Sequence, residues 1–131
     1  MDDVGVKIKM ILIMVALGGA VGSILRYLTS VWAVQYLGSA FPYGTLIVNV
    51  IGSFFIGLVL AMLETNILVS PHWRPLIMVG ILGGFTTFSS FSLDTLNLLI
   101  QAQYLKAGLY LLLNVVLGLI AVSIGYFMLK H

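Results

Sequence analysis

The stretch GGFTTFSSFS, Gly83 to Ser92, places two adjacent glycines, five hydroxyl side chains and three phenylalanines inside a long apolar run. Glycine raises backbone freedom, and the hydroxyls of Thr86 and Thr87 compete for backbone hydrogen bonds. We therefore expect a helix to break between Gly83 and Thr87. Inside a membrane, the freed backbone groups must be buried in protein, face a water-filled cavity or coordinate an ion.

The composition indicates that this stretch does lie in a membrane. Of the 131 residues, 61% are hydrophobic and 8% are charged, whereas soluble domains carry about 25% charged residues. The charges cluster between four apolar runs, each near or above the roughly 20 residues that cross a bilayer as a helix. The predicted spans are residues 10–37, 45–63, 75–100 and 107–129. We expect an all-α integral membrane protein in which residues 1–131 form one transmembrane domain.

The length of the first apolar run and the distribution of charges bear on how the chain inserts into the membrane. The first apolar run exceeds the h-region of about 7 to 15 residues in a signal peptide, so we expect it to be retained as a helix. The distribution of basic residues favours a cytoplasmic N-terminus, but the bias is small enough that some copies can insert the other way up.

The chain has no cysteine, which excludes disulfides and thiolate sites. A net charge of +2, scattered along the chain, argues against a nucleic-acid partner.

The size of the chain favours an oligomer. The centre of a four-helix bundle is filled by its own side chains, which leaves little room for a pathway. Packing two copies together creates new seams between helices, and closed two-fold dimers are the commonest oligomers. A homodimer is therefore the simplest expectation.

Polar residues form stripes on two of the predicted helices. In the second span, Thr45, Asn49 and Ser53 recur every four residues and so share one helical face. In the fourth span, Tyr110 and Asn114 have the same spacing. An intramembrane asparagine often joins helices through a hydrogen bond worth about 1 kcal/mol. The stripes therefore indicate either helix packing or a pathway lined with hydrogen-bond donors.

The first span carries a stripe of a different kind. Gly18, Gly22 and Arg26 share one face, which predicts close helix packing at the glycines. Arg26 lies toward the end of the apolar run. It can anchor the helix at the headgroups or place a positive charge in a vestibule.

The phenylalanines and serines of the third span share faces beyond the predicted break. Phe88 and Phe91 are three residues apart, as are Ser89 and Ser92. A phenylalanine stripe usually reflects packing. However, the positive edge of an aromatic ring can also face a small anion without supplying a full charge.

The sequence lacks the common catalytic and phosphate-binding motifs. It has no acidic pair placed for acid–base catalysis, no histidine cluster and no glycine-rich nucleotide fingerprint, so we do not expect an enzyme. Asp94 is the acid farthest from a span end and the sole candidate for proton coupling. We favour a role for Asp94 as a cap or hydrogen-bond partner near the broken helix.

The combined motifs resemble the Fluc family of bacterial fluoride channels, also called CrcB proteins. The resemblance covers all four spans and rests on GGAVGSILRY, GTLIVNVIG, GGFTTFSSFS and YLLLNVVLG, in that order. It implies an antiparallel, dual-topology homodimer in the bacterial cell membrane, with the third helix broken. It further implies two separate fluoride pathways and a structural sodium ion on the dimer axis.

The resemblance also assigns roles to residues. Asn49 corresponds to the pore asparagine, Phe88 and Phe91 to the phenylalanines whose ring edges meet fluoride, and Arg26 to a vestibule arginine. The backbone carbonyls of Gly83 and Thr86 correspond to the sodium ligands. The polar lining is matched or neighboured by Thr45, Ser89, Ser90, Ser92, Tyr110 and Asn114.

The fourth span departs from the family pattern at one end of its polar face. Gly118 and Val122 stand where relatives can carry hydroxyls, and we expect water or Ser123 to supply the missing donor.

The implied role is passive efflux that confers fluoride resistance. Hydrogen fluoride enters the cell uncharged and dissociates, and the anion then leaves down its gradient. Two alternatives remain from the sequence. One is a proton-coupled exporter like the small multidrug-resistance proteins, although the first span has no embedded glutamate. The other is a structural membrane protein that uses the glycines and asparagines for packing.

Overall fold

The computed structural model describes residues 3–67, 70 and 72–130 of the chain. These residues are all-helical or irregular, with four helical segments long and apolar enough to cross a membrane. The first two are α1 (Asp3–Leu37) and α2 (Tyr43–Glu64), followed by Pro75–Ile100 and Tyr104–Phe127. The prediction of an all-α chain with four membrane-spanning helices is therefore confirmed. The parts of the predicted domain at residues 1, 2, 68, 69, 71 and 131 lie outside the described residues.

The third segment consists of several helical pieces. A π-helix (Pro75–Leu82) leads directly into the short α3 (Gly83–Phe85), and α4 (Phe88–Ile100) follows. Thr86 (φ −81°, ψ 159°) and Thr87 (φ −154°, ψ 123°) between α3 and α4 have extended backbone. Gly83 itself is helical (φ −64°, ψ −38°). The threonines, rather than the glycines, therefore leave the helical conformation. The last segment, Tyr104–Phe127, is α5.

The first helix is longer than the span that hydropathy predicts. It begins at Asp3 rather than at residue 10, and a salt bridge of 2.8 Å joins Lys7 to Asp3 at i,i+4 spacing on this polar turn. A helix can continue beyond the hydrocarbon, so hydropathy locates the span and not the first helical residue. The bounds of the other segments differ from the predicted spans by at most a few residues.

Glycines bring the helix backbones close together. A Cβ on Gly18 of α1 would lie 2.5 Å from the Leu76 carbonyl oxygen and 3.0 Å from Gly80 Cα in the π-helix. Gly125 of α5 packs in the same way against the Phe54 carbonyl of α2. Small residues permit such backbone approach between membrane helices, and the interpretation of Gly18 as a packing residue is confirmed. As a result, α1 packs mainly on the π-helix and α2 mainly on α5.

Most large apolar side chains among the described residues point outward. For example, Leu105 of α5 is 78% exposed and Ile100 of α4 is 73% exposed. The buried core cluster is small and consists of Leu98, Ala107 and Tyr110. Such a distribution fits a protein whose outer surface contacts lipid tails, because lipid is as apolar as these side chains.

A polar cluster joins the ends of α2 and α5. Lys130 Nζ lies 2.7 Å from Glu64 Oε2, and the Tyr126 hydroxyl donates to the same oxygen at 2.8 Å. The hydrogen bond to the Glu64 carboxylate raises the pKa of the Lys130 amine. This contact supports the α2–α5 pairing at one end of the helices, where charged groups can remain hydrated.

The close approach at Gly18 leads to a stability prediction. Gly18→Ala forces a methyl group against the Leu76 carbonyl and should lower the free energy of unfolding by about 1–3 kcal/mol through overpacking. Gly108→Ala is the matched control, because a Cβ at Gly108 meets nothing within 4 Å, and its effect should be below about 1 kcal/mol. Denaturant unfolding of the purified protein in detergent measures both. Equal stability of Gly18→Ala and wild type would contradict the packing interpretation.

Candidate functional site

Thr87 lies in the extended link between α3 and α4, and all of its polar groups are paired. Its N–H donates to Asn49 Oδ1 at 2.8 Å, and its carbonyl accepts from Asn49 Nδ2 at 3.1 Å. Its hydroxyl oxygen accepts from the Ser90 N–H at 3.1 Å, so Thr87 is the N-cap of α4. With a relative exposure of only 7%, these groups require such partners. A side chain from α2 thus supplies the pairing that a continuous helix would have provided.

The same hydrogen bonds redirect two backbone donors. In a continuous α-helix, the Thr87 N–H would donate to the Gly83 carbonyl, and the Ser90 N–H would donate to the Thr86 carbonyl. Here these N–H groups donate to Asn49 Oδ1 and to Thr87 Oγ1. The Gly83 and Thr86 carbonyls, which are the predicted metal ligands, have therefore lost their helical donors. Neutral main-chain oxygens of this kind suit a hard cation.

Arg26 approaches the link from α1. Its Nη1 lies 3.5 Å from the Thr86 carbonyl oxygen, and the side chain is half-buried. A guanidinium keeps its charge under all physiological conditions. The predicted vestibule residue therefore lies beside the helix interruption and adds positive potential there.

A chain of hydrogen bonds continues from the link across α5 and back to α4. Asn49 Nδ2 donates to Asn114 Oδ1 at 3.0 Å, and Asn114 Nδ2 donates to the Tyr110 carbonyl at 3.0 Å. The Tyr110 hydroxyl and the Thr45 hydroxyl both donate to Asp94 Oδ2, at 2.9 Å and 2.7 Å. The polar stripes predicted on α2 and α5 therefore face each other, and Asp94 connects their ends.

The two phenylalanines of α4 lie next to this network. Their ring centroids are 5.6 Å apart with an interplanar angle of 50°. Phe88 is 79% exposed, whereas Phe91 is half-buried and lies 5.5 Å from the ring of Tyr110. One ring is thus fixed by packing, and the other projects from the surface of the chain.

These groups meet in a cavity of about 340 Å³. Its lining includes the two asparagines, the two threonines of the link, both phenylalanines of α4, and Ser53 of α2. The cavity therefore combines neutral amide and hydroxyl groups with aromatic rings. Such groups can replace part of the hydration shell of a small anion.

Three further predicted residues lie away from this cavity. Thr45 and Ser90 line a second cavity of about 360 Å³ together with Asp94. Tyr110 is completely buried and reaches that region through its hydroxyl. The hydrogen-bonded chain described above connects the two cavities, since Asn49 and Asn114 lie at its other end.

The remaining predicted serines are exposed on α4. Ser89 Oγ lies 3.3 Å from Thr87 Oγ1, and the Ser92 hydroxyl donates to the Phe88 carbonyl at 3.0 Å. Ser89 is thus joined to the cap of α4, whereas the Ser92 hydroxyl is engaged within its own helix.

The expectation that Ser123 replaces the hydroxyl missing at Gly118 is not supported. The Ser123 hydroxyl donates to the Leu119 carbonyl at 2.7 Å within α5, and Ser123 lies with Val122 in a separate small cavity. A Cβ on Gly118 would instead lie 3.6 Å from Ser53 Oγ. The hydroxyl that faces Gly118 therefore belongs to Ser53 of α2. The Ser123 hydroxyl bonds to the preceding turn of its own helix, as serine side chains in helices often do.

Thr87 and Asp94 are absent from the residues assigned to the site by resemblance. The signal for Thr87 is local, because a threonine before a helix commonly accepts from the N–H three residues later. Asp94 was expected to form hydrogen bonds near the break, and this expectation is confirmed. Its partners on α2 and α5 are 49 and 16 residues away, so their identity requires the packed structure.

Comparisons with known proteins identify the relatives of this chain. Residues 13–126 match the family described as CrcB-like protein, Camphor Resistance (CrcB). The chain is 52% identical over 112 residues to the fluoride-specific ion channel FluC of Vibrio campbellii, covering 86% of this chain and 88% of the relative. It is 51% identical over 114 residues to FluC of a Roseiflexus species, covering 87% and 92% of the two chains. The resemblance inferred from the sequence is thus confirmed, and the chain belongs to the CrcB family.

Proposed function

We propose that this chain is a passive, fluoride-selective channel of the bacterial cell membrane that exports cytoplasmic fluoride. The observation that carries this proposal is the cavity in which the Asn49 and Asn114 amides meet the rings of Phe88 and Phe91. Support also comes from the relatives named fluoride-specific ion channel, which are 52% and 51% identical to this chain. The chain is a multi-pass membrane protein and acts as a channel rather than as an enzyme.

The chemistry of the cavity suits fluoride. This ion is small and strongly hydrated, so a pore must replace the hydrogen bonds of water and still release the ion. Amide and hydroxyl groups supply neutral donors, and the ring edges supply a weaker positive potential. Neutral donors bind the anion less tightly than an ammonium would in the low dielectric of the membrane. Fast release, and therefore conduction, follows.

The functional unit in this proposal is an antiparallel homodimer of dual-topology subunits, with the third span of each subunit broken. The exposed ring of Phe88 and the open cavity that the Asn49 and Asn114 amides line beside it support a second copy at this surface. Polar groups that face outward at membrane depth require a protein or water partner. A second subunit would close the open side of each pathway, which gives two pathways per dimer by symmetry.

A structural sodium ion completes the proposed assembly. The Gly83 and Thr86 main-chain carbonyls of both subunits would hold it, which is supported by the redirection of their helical donors. Residues 3–67, 70 and 72–130 contain no cluster of three or more His, Cys, Asp or Glu side chains able to hold a metal. When bound, the ion supplies positive charge next to the anion pathways. The four neutral oxygens suit a hard monovalent cation.

Fluoride efflux from proteoliposomes, with chloride as the comparison, tests the channel and its pore asparagine together. Wild type should conduct fluoride and exclude chloride, and Asn49→Asp should abolish fluoride efflux. The carboxylate cannot donate to the Thr87 carbonyl or to Asn114 Oδ1, and it adds negative charge to the anion path. Asn66→Asp, on the exposed turn after α2, should conduct like wild type. Undiminished efflux through a correctly assembled Asn49→Asp protein would contradict the pore assignment.

The rings are tested by Phe88→Ile and Phe91→Ile. Each change keeps most of the hydrophobic volume but removes the positive ring edge, so fluoride efflux should fall by roughly tenfold or more, as for loss of a contact to a charged group. Phe127→Ile, at the end of α5, should leave efflux unchanged. Size-exclusion chromatography checks the assembly of each variant. Normal efflux in both α4 variants would assign these rings to packing.

Removal of sodium tests the metal. Exchange of sodium for a large organic cation such as N-methyl-D-glucamine should reduce fluoride efflux and dimer stability, and return of sodium should restore both. The expected cause is repulsion among carbonyl oxygens that lack a cation. Indifference under conditions that remove sodium would exclude a structural sodium ion. Sodium flux coupled to fluoride flux would identify a cotransporter instead.

A further inference from the structure

Thr87 contacts both ion sites of the proposed channel, although the family resemblance assigns it no role. Its hydroxyl oxygen accepts the Ser90 N–H, which in a continuous helix would donate to the Thr86 carbonyl. Its own N–H, which would donate to the Gly83 carbonyl, donates to Asn49 instead. One residue therefore takes part in redirecting both donors.

We propose that Thr87 is a positioning residue for the cation site, and that its hydroxyl keeps the Ser90 N–H away from the Thr86 carbonyl, whose other contact is Arg26 Nη1 at 3.5 Å. This inference rests on the sodium ion proposed above. Without the Thr87 oxygen, the N–H of the half-buried Ser90 is a donor without a cap, and the alternative acceptor that a regular helix would offer it is the Thr86 carbonyl. A hydrogen bond to that carbonyl competes with the cation for the same oxygen. Loss of the hydroxyl should therefore weaken sodium binding.

The environment of Thr87 supports a role for the hydroxyl rather than for the side-chain volume. The extended backbone (φ −154°, ψ 123°) suits a β-branched residue, so valine can occupy the position without backbone strain. Thr87→Val then removes the acceptor and keeps the shape. Thr87→Ser keeps the acceptor and removes the methyl group. The two variants separate the two contributions.

A buried threonine elsewhere in the same helix provides a matched control. Thr95 is 8% exposed, and its hydroxyl donates to the Phe91 carbonyl at 2.8 Å within α4. Thr95→Val removes a hydroxyl of similar burial without touching the cap. Any general cost of this replacement in α4 will appear in the control.

The experiment measures the thermal unfolding midpoint of the purified full chain in detergent as sodium replaces N-methyl-D-glucamine at constant ionic strength. We expect Thr87→Val to raise the half-saturating sodium concentration roughly five- to tenfold, the factor that corresponds to the loss of one capping hydrogen bond. Thr87→Ser and Thr95→Val should stay within about twofold of wild type. A purely structural role would instead lower the midpoint equally at all sodium concentrations.

Hydrogen exchange of the Ser90 amide, measured at saturating sodium, supplies a second readout. The cation then occupies the Thr86 carbonyl, so the Ser90 amide of Thr87→Val lacks an acceptor and should exchange faster than in wild type, whereas exchange in Thr87→Ser should be unchanged. A sodium response equal to wild type in Thr87→Val would overturn the positioning role and leave the sodium site intact. A loss of response in Thr87→Ser would also overturn it, because packing would then be the cause. A wild-type protein indifferent to sodium would overturn the sodium proposal and this inference with it.

Discussion

The pairing of the Asn49 amide with the backbone of Thr87 is the contact on which the rest of the site depends. An unpaired backbone N–H or carbonyl costs several kcal/mol in hydrocarbon, so two extended residues at membrane depth need a partner that both donates and accepts. A carboxamide carries its acceptor oxygen and its donor NH2 on separate atoms, so one side chain can pair with both groups. Because its second N–H reaches Asn114, the same side chain also fixes the position of α5 relative to the link.

Close helix packing makes this pairing possible. Gly125 lets α5 approach the backbone of α2, the same two helices that carry the hydrogen-bonded asparagines. Gly18 does the same for α1 and the π-helix, and this contact holds the residues that precede the link. The small residues thus act on the site indirectly, through the distances between helices. The buried core is too small to set these distances by itself.

Much of this arrangement can be predicted from the sequence. Hydropathy identifies the four spans, and four-residue spacing identifies the polar faces that meet in the structure. Local composition also predicts an interruption between Gly83 and Thr87. In the structure, however, Gly83 and Gly84 stay helical, and Gly84 instead allows the close approach of Gly19. The contacts that individual side chains make between helices cannot be predicted from hydropathy and spacing. The partners of Asp94 and the hydroxyl opposite Gly118 depend on the rotation of each helix about its axis, which spacing leaves undetermined.

The pairing of α2 with α5 also has a consequence for biosynthesis. A ribosome makes α2 well before α5, with α3 and α4 in between, so Asn49 enters the membrane while neither of its partners exists. During that interval its amide must be satisfied by water, by lipid headgroups or by the insertion machinery. Assembly of the site is therefore a late step, because it waits for the translation of α5.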